Sequence, residues 1–187
     1  MNRKIGVWLL MIVGLIVGMG MREARAASTD TIQLIVTPSV IYSVQITSAD
    51  ANIAYNFGTV GLDVTTRSER PATVTNTGNV VSRWQVSAQN ETTWSLGTAT
   101  GTQDVAVLKA LFNAKSGAMP IDTNYQTQAS TLTVAGVIGT GTNYSTTSWP
   151  ANIGVGGQRD LYFQLYTPVT SSVGTQQSFR VYVTAVP

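Results

Sequence analysis

The clearest pattern in the chain is an alternation of apolar and polar side chains close to its C-terminal end. Over residues 178–185, Phe179, Val181, Val183 and Ala185 alternate with polar neighbours. The side chains of a β-strand point alternately to its two faces, so this segment has one apolar and one polar face. Residues 83–89 and 161–166 repeat the pattern. All three segments are predicted to be strands half buried against a core.

Weaker β patterns occupy residues 31–36, 41–46, 53–60, 92–96 and 131–138. Residues 72–75 form a further strand candidate, which Asn76-Thr77-Gly78-Asn79 separates from the strand at 83–89. Asn and Gly tolerate the positive φ angles that close hairpins, so these two strands are predicted to pair. About 8–10 short strands with turns between them predict an all-β fold of two antiparallel sheets packed face to face.

Residues 104–112 carry two patterns at once. Val105, Leu108, Leu111 and Phe112 have helical spacing, and Asp104 is a suitable helix N-cap. The same segment also places alternate apolar residues on one face of a strand. A buried strand is favoured because the run is short and its neighbours are β, and a short helix stays open as the alternative.

The N-terminus resembles an export signal. Arg3 and Lys4 precede an uncharged apolar stretch at residues 5–21, and Ala24-Arg25-Ala26 has the small-x-small pattern of a signal peptidase site. The stretch approaches the length of a membrane anchor, but its four glycines and the cleavage pattern favour removal. Residues 1–26 are therefore predicted to be a cleaved signal peptide, and residues 27–187 one domain with no membrane span.

Removing the signal changes the charge of the protein. The whole chain has 11 basic and 9 acidic residues, and the mature part keeps seven basic and eight acidic residues. The remaining basic residues are scattered from Arg67 to Arg180 without a cluster, which argues against nucleic-acid binding. A net charge near zero permits association between copies of the chain.

The composition excludes many kinds of active site. The chain has no Cys and no His, which removes thiol nucleophiles, imidazole-based triads and the usual zinc sites. Successive acidic residues of the mature part lie at least six positions apart, and no calcium-loop pattern occurs. No catalytic, cofactor-binding or metal-binding residue is predicted, and the protein is not expected to be an enzyme. A glycosidase-type carboxylate pair assembled by the fold is the third-ranked alternative.

Three aromatic residues outside the regular strand patterns are candidate contacts for a ligand or partner. Trp94, Tyr144 and Trp149 lie in polar surroundings, where an aromatic ring can stack on a sugar or anchor a protein contact. Packing at the edge of the core is the favoured interpretation for Trp94, whereas a binding loop and a plain surface loop stay equally open for Trp149. Trp84, in contrast, lies on the apolar face of its strand and is predicted to belong to the core.

The turn and strand sequences resemble a known architecture. Tyr55-Asn56-Phe57-Gly58-Thr59-Val60, the segment from residue 73 to 86, and the ending at residues 161–185 look like the immunoglobulin-like β-sandwich modules of bacterial secreted and surface proteins. More distantly, a signal followed by one Cys-free β domain resembles biofilm-fibre subunits of the TasA/camelysin type. The resemblance implies an immunoglobulin-like or jelly-roll-like sandwich and transfers no catalytic residue.

Two functions follow from these observations. The preferred one is an exported structural or adhesive protein of the bacterial cell surface or extracellular matrix. Residues 27–36 are a strand candidate, and such a strand can pair with the sheet edge of a neighbouring copy to form a filament. Pairing of that strand within its own domain is favoured over this exchange. The alternative function is a carbohydrate-binding module for cell-surface polysaccharide. The expected location is secreted, extracellular or on the cell surface, with the periplasm as an alternative.

Overall fold

The computed structural model describes residues 32–48, 55–127, 129–138 and 152–187. Contacts divide the chain into two units, Met1–Pro38 and Ser39–Pro187. The described residues of the first unit, 32–38, form neither helix nor strand, so the strand predicted over 31–36 is wrong for 32–36. A strand requires a partner for its backbone groups, and the pattern alone supplies none. The predicted signal peptide lies outside the described residues.

The second unit is built almost entirely of short strands, with one short helix. The strands are β1 (Val44–Ser48), β2 (Thr65–Arg67), β3 (Ala72–Asn76), β4 (Arg83–Asn90), β5 (Ser95–Leu96), β6 (Val105–Ala114), β7 (Ser130–Thr131), β8 (Val137–Ile138), β9 (Gln158–Tyr166) and β10 (Phe179–Val186). The helix α1 (Asp122–Thr127) lies between β6 and β7. The alternating patterns therefore predicted β4, β9 and β10 correctly, and the fold is mostly β as expected.

The strands form two sheets. The larger has the order β1-β3-β9-β6-β5, with β2 also pairing β9 and β7 also pairing β6, and the smaller has the order β10-β4-β8. The prediction of purely antiparallel sheets is wrong, because β5 and β6 pair in parallel. The link between them bends at Gly101 and at Asp104, whose φ angles are 132° and 59°, and the chain re-enters the sheet in its original direction.

The hairpin predicted between β3 and β4 does not form. β3 pairs with β1 and β9, whereas β4 pairs with β10 and β8, so residues 77–82 cross from one sheet to the other. The side chain of Asn76 holds this crossing: its Nδ2 donates to the carbonyl oxygens of Val80 (2.9 Å) and Ile153 (2.8 Å), and its Oδ1 accepts from the Gly78 N–H (3.0 Å). The Asn-Thr-Gly-Asn segment thus turns the chain, but into the other sheet.

The two sheets share one hydrophobic core. Trp84, Val86 and Ala88 of β4 are fully buried against side chains of the larger sheet, and the rings of Trp84 and Phe112 lie 5.4 Å apart. Burial of such side chains is the main favourable term in folding. Two packed sheets are consistent with a β-sandwich, and Trp84 is a core residue as predicted.

The ambiguous segment at residues 104–112 is a strand, as favoured. Its mixed pattern arises because β6 is covered on both faces. Ala106, Leu108, Ala110 and Phe112 face the main core, whereas Leu111, on the opposite face, packs with Tyr125 of α1 and Tyr162 of β9 in a second small core. A strand buried on both faces loses the simple alternation of a half-buried one.

The weaker patterns located strands less precisely. The pattern at 41–46 overlaps β1, the pattern at 92–96 contains β5, and the pattern at 131–138 overlaps β7 and contains β8. The pattern at 53–60 gives no strand over its described residues, 55–60. Short strands of two or three residues depend on tertiary pairing more than on local sequence.

We predict that Asn76→Asp destabilises the protein by about 3 kcal/mol, the cost typical of leaving buried polar groups unsatisfied. Asn76 is 1 % exposed, and its amide faces three carbonyl oxygens, those of Val80, Ile153 and Gly154. A carboxylate has nearly the same shape but donates nothing to these acceptors. Urea unfolding of the variant and the parent chain measures the difference.

Asn56→Asp is the matched control. The Asn56 side chain is exposed and accepts a hydrogen bond from the Gly58 N–H at 2.8 Å, which a carboxylate accepts equally well. Its free energy of unfolding should stay within about 0.5 kcal/mol of the parent value. Equal stability losses in the two variants would contradict the role assigned to Asn76.

Candidate functional site

Strand β10 lies at the edge of the smaller sheet and is only partly covered. Its inward side chains, Phe179, Val181, Val183 and Ala185, are half buried and pack against the main core. The inward side chains of the neighbouring β4, including Trp84, are fully buried. The core is therefore closed under β4 and left partly open under β10.

The backbone of β10 also has a free side. In the described part of the chain, β4 alone pairs with β10. The Glu91 N–H donates to the Ser178 carbonyl at 3.2 Å, so this facing pair is hydrogen-bonded. Hydrogen-bonded and non-hydrogen-bonded pairs alternate along an antiparallel ladder. It follows that the N–H and C=O groups of Phe179, Val181, Val183 and Ala185 point away from β4.

A cleft of about 1230 Å³, lined by apolar and polar side chains, opens beside this edge, where the larger sheet faces β10. Ala72, Leu161, Phe163 and Leu165 line it from the larger sheet, and Val181 lines it from β10. Ile46 of β1, the edge strand of the larger sheet, also lines it and is only partly buried. Leu161 and Leu165 are already buried, at 1 % and 6 % exposure, whereas Ile46, Phe163 and Val181 are partly buried. Residues 55–60 and Leu62 also line the cleft.

Residues 171–178 form one wall of the cleft, and Asp104 anchors them. Its Oδ1 accepts hydrogen bonds from the Ser171 hydroxyl (2.9 Å) and the Ser172 N–H (2.8 Å), and its Oδ2 accepts from the Ser172 hydroxyl. These bonds from Ser172, and then that from Ser171, hold the pKa of the Asp104 carboxyl below its ordinary value despite some desolvation. The wall is therefore held most firmly when Asp104 is ionised.

Trp94, a predicted contact residue, belongs to the same network. Its indole N–H donates to the Ser171 hydroxyl at 2.8 Å, its backbone N–H donates to the Gln177 side chain at 2.9 Å, and its ring packs against the main core. Trp94 also lines the cleft. The other two predicted contact residues, Tyr144 and Trp149, lie outside the described residues.

Sequence reasoning missed Asp104, Ser171 and Ser172 as parts of the site. Asp104 was considered only as a helix N-cap, whereas it lies in the left-handed region at φ 59°, which Asp tolerates better than most residues. The two serines follow β9 by sequence but meet Asp104 only through the fold. No spacing rule connects residues 67 positions apart.

A second cluster of charged groups lies away from the cleft. Asp160, 2 % exposed, accepts hydrogen bonds from the Lys115 ammonium (3.0 Å), the Thr73 hydroxyl (3.1 Å) and the Ser116 N–H (2.7 Å). These donors compensate the buried carboxylate, and the cluster joins β3, β9 and the end of β6. Its arrangement is that of a structural ion pair.

Across residues 32–48, 55–127, 129–138 and 152–187, no group of three or more acidic side chains could hold a metal ion. Over the same residues, no helix is long and apolar enough to cross a bilayer.

Comparison with family models, curated proteins and solved structures gives no match for this chain. The resemblance to immunoglobulin-like surface proteins and to TasA/camelysin-type subunits accordingly stays a prediction.

We predict that Asp104→Asn loosens the wall and lowers the midpoint of thermal unfolding at pH 7. Because the pKa of Asp104 is lower in the folded protein than in the unfolded chain, its stabilising effect is complete above the unfolded value. The effect is lost as the pH falls through the lower, folded value. The difference in midpoint between variant and parent should therefore shrink below about pH 4.

Thermal scans between pH 2 and pH 7 measure this difference, with Glu69→Gln, an exposed acid outside the network, as the control. A difference for Asp104→Asn that is independent of pH would show that the carboxylate charge does not hold the wall.

Proposed function

We propose that the chain is an exported, non-catalytic structural or adhesive protein of the bacterial cell surface or extracellular matrix, which associates with copies of itself through a sheet edge. The observation that carries this proposal is the partly apolar cleft beside the unpaired side of β10. Exposed edges with apolar inner faces are sites where a further strand adds. The predicted signal peptide and the near-neutral mature charge also support it.

The charge distribution around the cleft favours an apolar polypeptide as the occupant. Arg180 of β10 and Glu91 at the cleft rim form an ion pair with each other. Beneath the rim, Ile46, Phe163 and Val181 are only partly buried, so part of their apolar surface is accessible to an occupant. An added strand with an apolar face would cover these side chains and satisfy the outward backbone groups of β10 together.

We predict that Val181→Lys abolishes association of the chain beginning at residue 27. Val181 points inward at the cleft, where a charged side chain conflicts with an apolar occupant. Light scattering at rising protein concentration and electron microscopy measure association. The parent chain should form oligomers or fibres, and the variant should remain monomeric.

Thr184→Lys is the matched control, because Thr184 is on the same strand but its side chain is exposed on the opposite face. This variant should associate like the parent. Near-UV circular dichroism checks that both variants keep the native fold. A parent chain that remains strictly monomeric at high concentration would reject the proposed self-association.

A carbohydrate-binding module is the second candidate, because Trp94 lines the cleft. We predict that, if polysaccharide is the ligand, Trp94→Ala lowers retention on insoluble polysaccharide at least tenfold, the loss expected for an aromatic anchor. Trp94→Phe, which keeps an aromatic ring but loses the bond to Ser171, should retain most of the binding. Absent or unchanged retention removes this candidate for Trp94.

A further inference from the structure

A second, smaller pocket lies beside the short strand β2 and shares no lining residue with the cleft at β10. Its volume is about 370 Å³, and its lining consists of Thr65, Thr66, Arg67, Glu69, Met119 and Asp122. One of these side chains is positively charged and two are negatively charged. The pocket is therefore acidic on balance, which favours a positively charged ligand.

A buried amide beside this pocket lacks a hydrogen bond. Gln164 of β9 faces Arg67 across the β2–β9 pair and is 1 % exposed. Its Nε2 donates to Asp122 Oδ1 at 3.3 Å, so the amide reaches the wall of the pocket. Among the described residues, no group donates a hydrogen bond to its Oε1. A buried amide oxygen without a donor is unfavourable, so this wall is short of a hydrogen-bond donor.

Rotation of the Gln164 amide about its last side-chain bond exchanges the positions of Oε1 and Nε2. The exchange places Oε1 next to Asp122, where two oxygens without a donor between them repel each other. A cationic donor bound between them reverses this balance. The Gln164 amide, the Asp122 carboxylate and the exposed Glu69 carboxylate then supply three oxygen acceptors around one cation.

A primary ammonium group suits these acceptors better than a divalent metal ion. It has three N–H donors, one for each oxygen. The Arg67 guanidinium, 3.1 Å from Asp122 Oδ1 in the same wall, repels a double charge about twice as strongly as a single one. Met119, 44 % exposed at the pocket, offers an apolar contact for the carbon stem of an amine.

The lysines of the chain itself are already engaged. Residues 27–187 contain two, Lys109 and Lys115. The Lys109 ammonium donates to the Tyr125 carbonyl at 3.5 Å and lies over the Tyr166 ring, and Lys115 pairs with Asp160 at 3.0 Å. A ligand ammonium for the pocket therefore comes from another molecule.

We propose that the pocket beside β2 binds a primary ammonium group carried on an unbranched aliphatic stem, with Glu69, Asp122 and the rotated Gln164 amide as its acceptors. Such a group is found on a free diamine and on the lysine side chain of another protein. The site is independent of β10, so the proposed self-association neither requires it nor fails with it.

Isothermal titration calorimetry of the chain beginning at residue 27 tests the site with two amines, cadaverine and Nα-acetyl-lysine amide. At least one of them should bind saturably. The same lysine derivative with its side-chain amine acetylated should bind at least tenfold more weakly, because it has lost the charge and two donors. Binding of cadaverine alone assigns the site to free diamines, and binding of the lysine derivative alone assigns it to protein lysines.

The variants Glu69→Gln and Asp122→Asn should each lower the affinity at least tenfold, because each removes one charged acceptor. Gln164→Met, which keeps the length of the side chain but removes the amide, should weaken binding as well. Asp63→Asn is the matched control: Asp63 is an exposed acid close to β2 that does not line the pocket, and Asn also adopts its left-handed φ of 54°. Its affinity should stay within about twofold of the parent value. Near-UV circular dichroism checks that each variant keeps the native fold.

Three results overturn the inference. The first is no saturable binding of either amine to the parent chain. The second is an equal affinity of Glu69→Gln and Asp63→Asn, which would show that the amine binds elsewhere. The third is calcium binding that displaces the amine and is lost in Glu69→Gln and Asp122→Asn, which would make the pocket a metal site.

Discussion

The structure depends on strand β10, which leaves its backbone unpaired on one side and covers the core incompletely. A strand satisfies its backbone groups on two sides, and β10 is hydrogen-bonded to β4 on one side while its other side is unpaired in the described part of the chain. The same strand covers the core incompletely, because its inward side chains are half buried where those of β4 are fully buried. The unpaired backbone groups and the half-buried core side chains therefore belong to the same strand, β10.

The Asp104 network stabilises this open arrangement. A carboxylate that accepts hydrogen bonds from Ser171 and Ser172 fixes residues that form a wall of the cleft, and the Trp94 indole joins the same hydroxyl group. Fully covering an exposed Val, Leu or Ile side chain contributes about 1.5–3 kcal/mol, and the partly buried Ile46 and Val181 forgo a fraction of it. The network thus fixes residues 171–172 in one wall of the cleft.

The sequence predicted the strands in which apolar and polar side chains alternate. β4 and β10 alternate because one face packs on the core, whereas β9 is buried on both faces and alternates because its second face carries Asp160, Tyr162 and Gln164. The partners of these strands were not predictable from the same signal. Asn76 and its neighbours carry hairpin residues, yet the direction in which such a turn sends the chain depends on the buried amide and its distant acceptor, the Ile153 carbonyl. The Asp104 network lay beyond sequence reasoning for the same reason, since its members meet only in the folded protein.

The crossing at residues 77–82 also determines how the domain would respond to a pulling force. The Asn79 side chain donates to the Ser39 carbonyl at 2.7 Å and accepts from the Ile41 N–H at 2.8 Å, and the Ser43 carbonyl accepts from the Thr77 N–H at 3.1 Å. Tension applied to the residues before Ser39 therefore reaches these bonds first and then the whole β1–β3 ladder. Each bond at the crossing joins the entry of β1 to the link between the two sheets. The N-terminal end of β1, where the force acts, is thus tied to the link between the two sheets. The force is therefore shared between the sheets before β1 can detach.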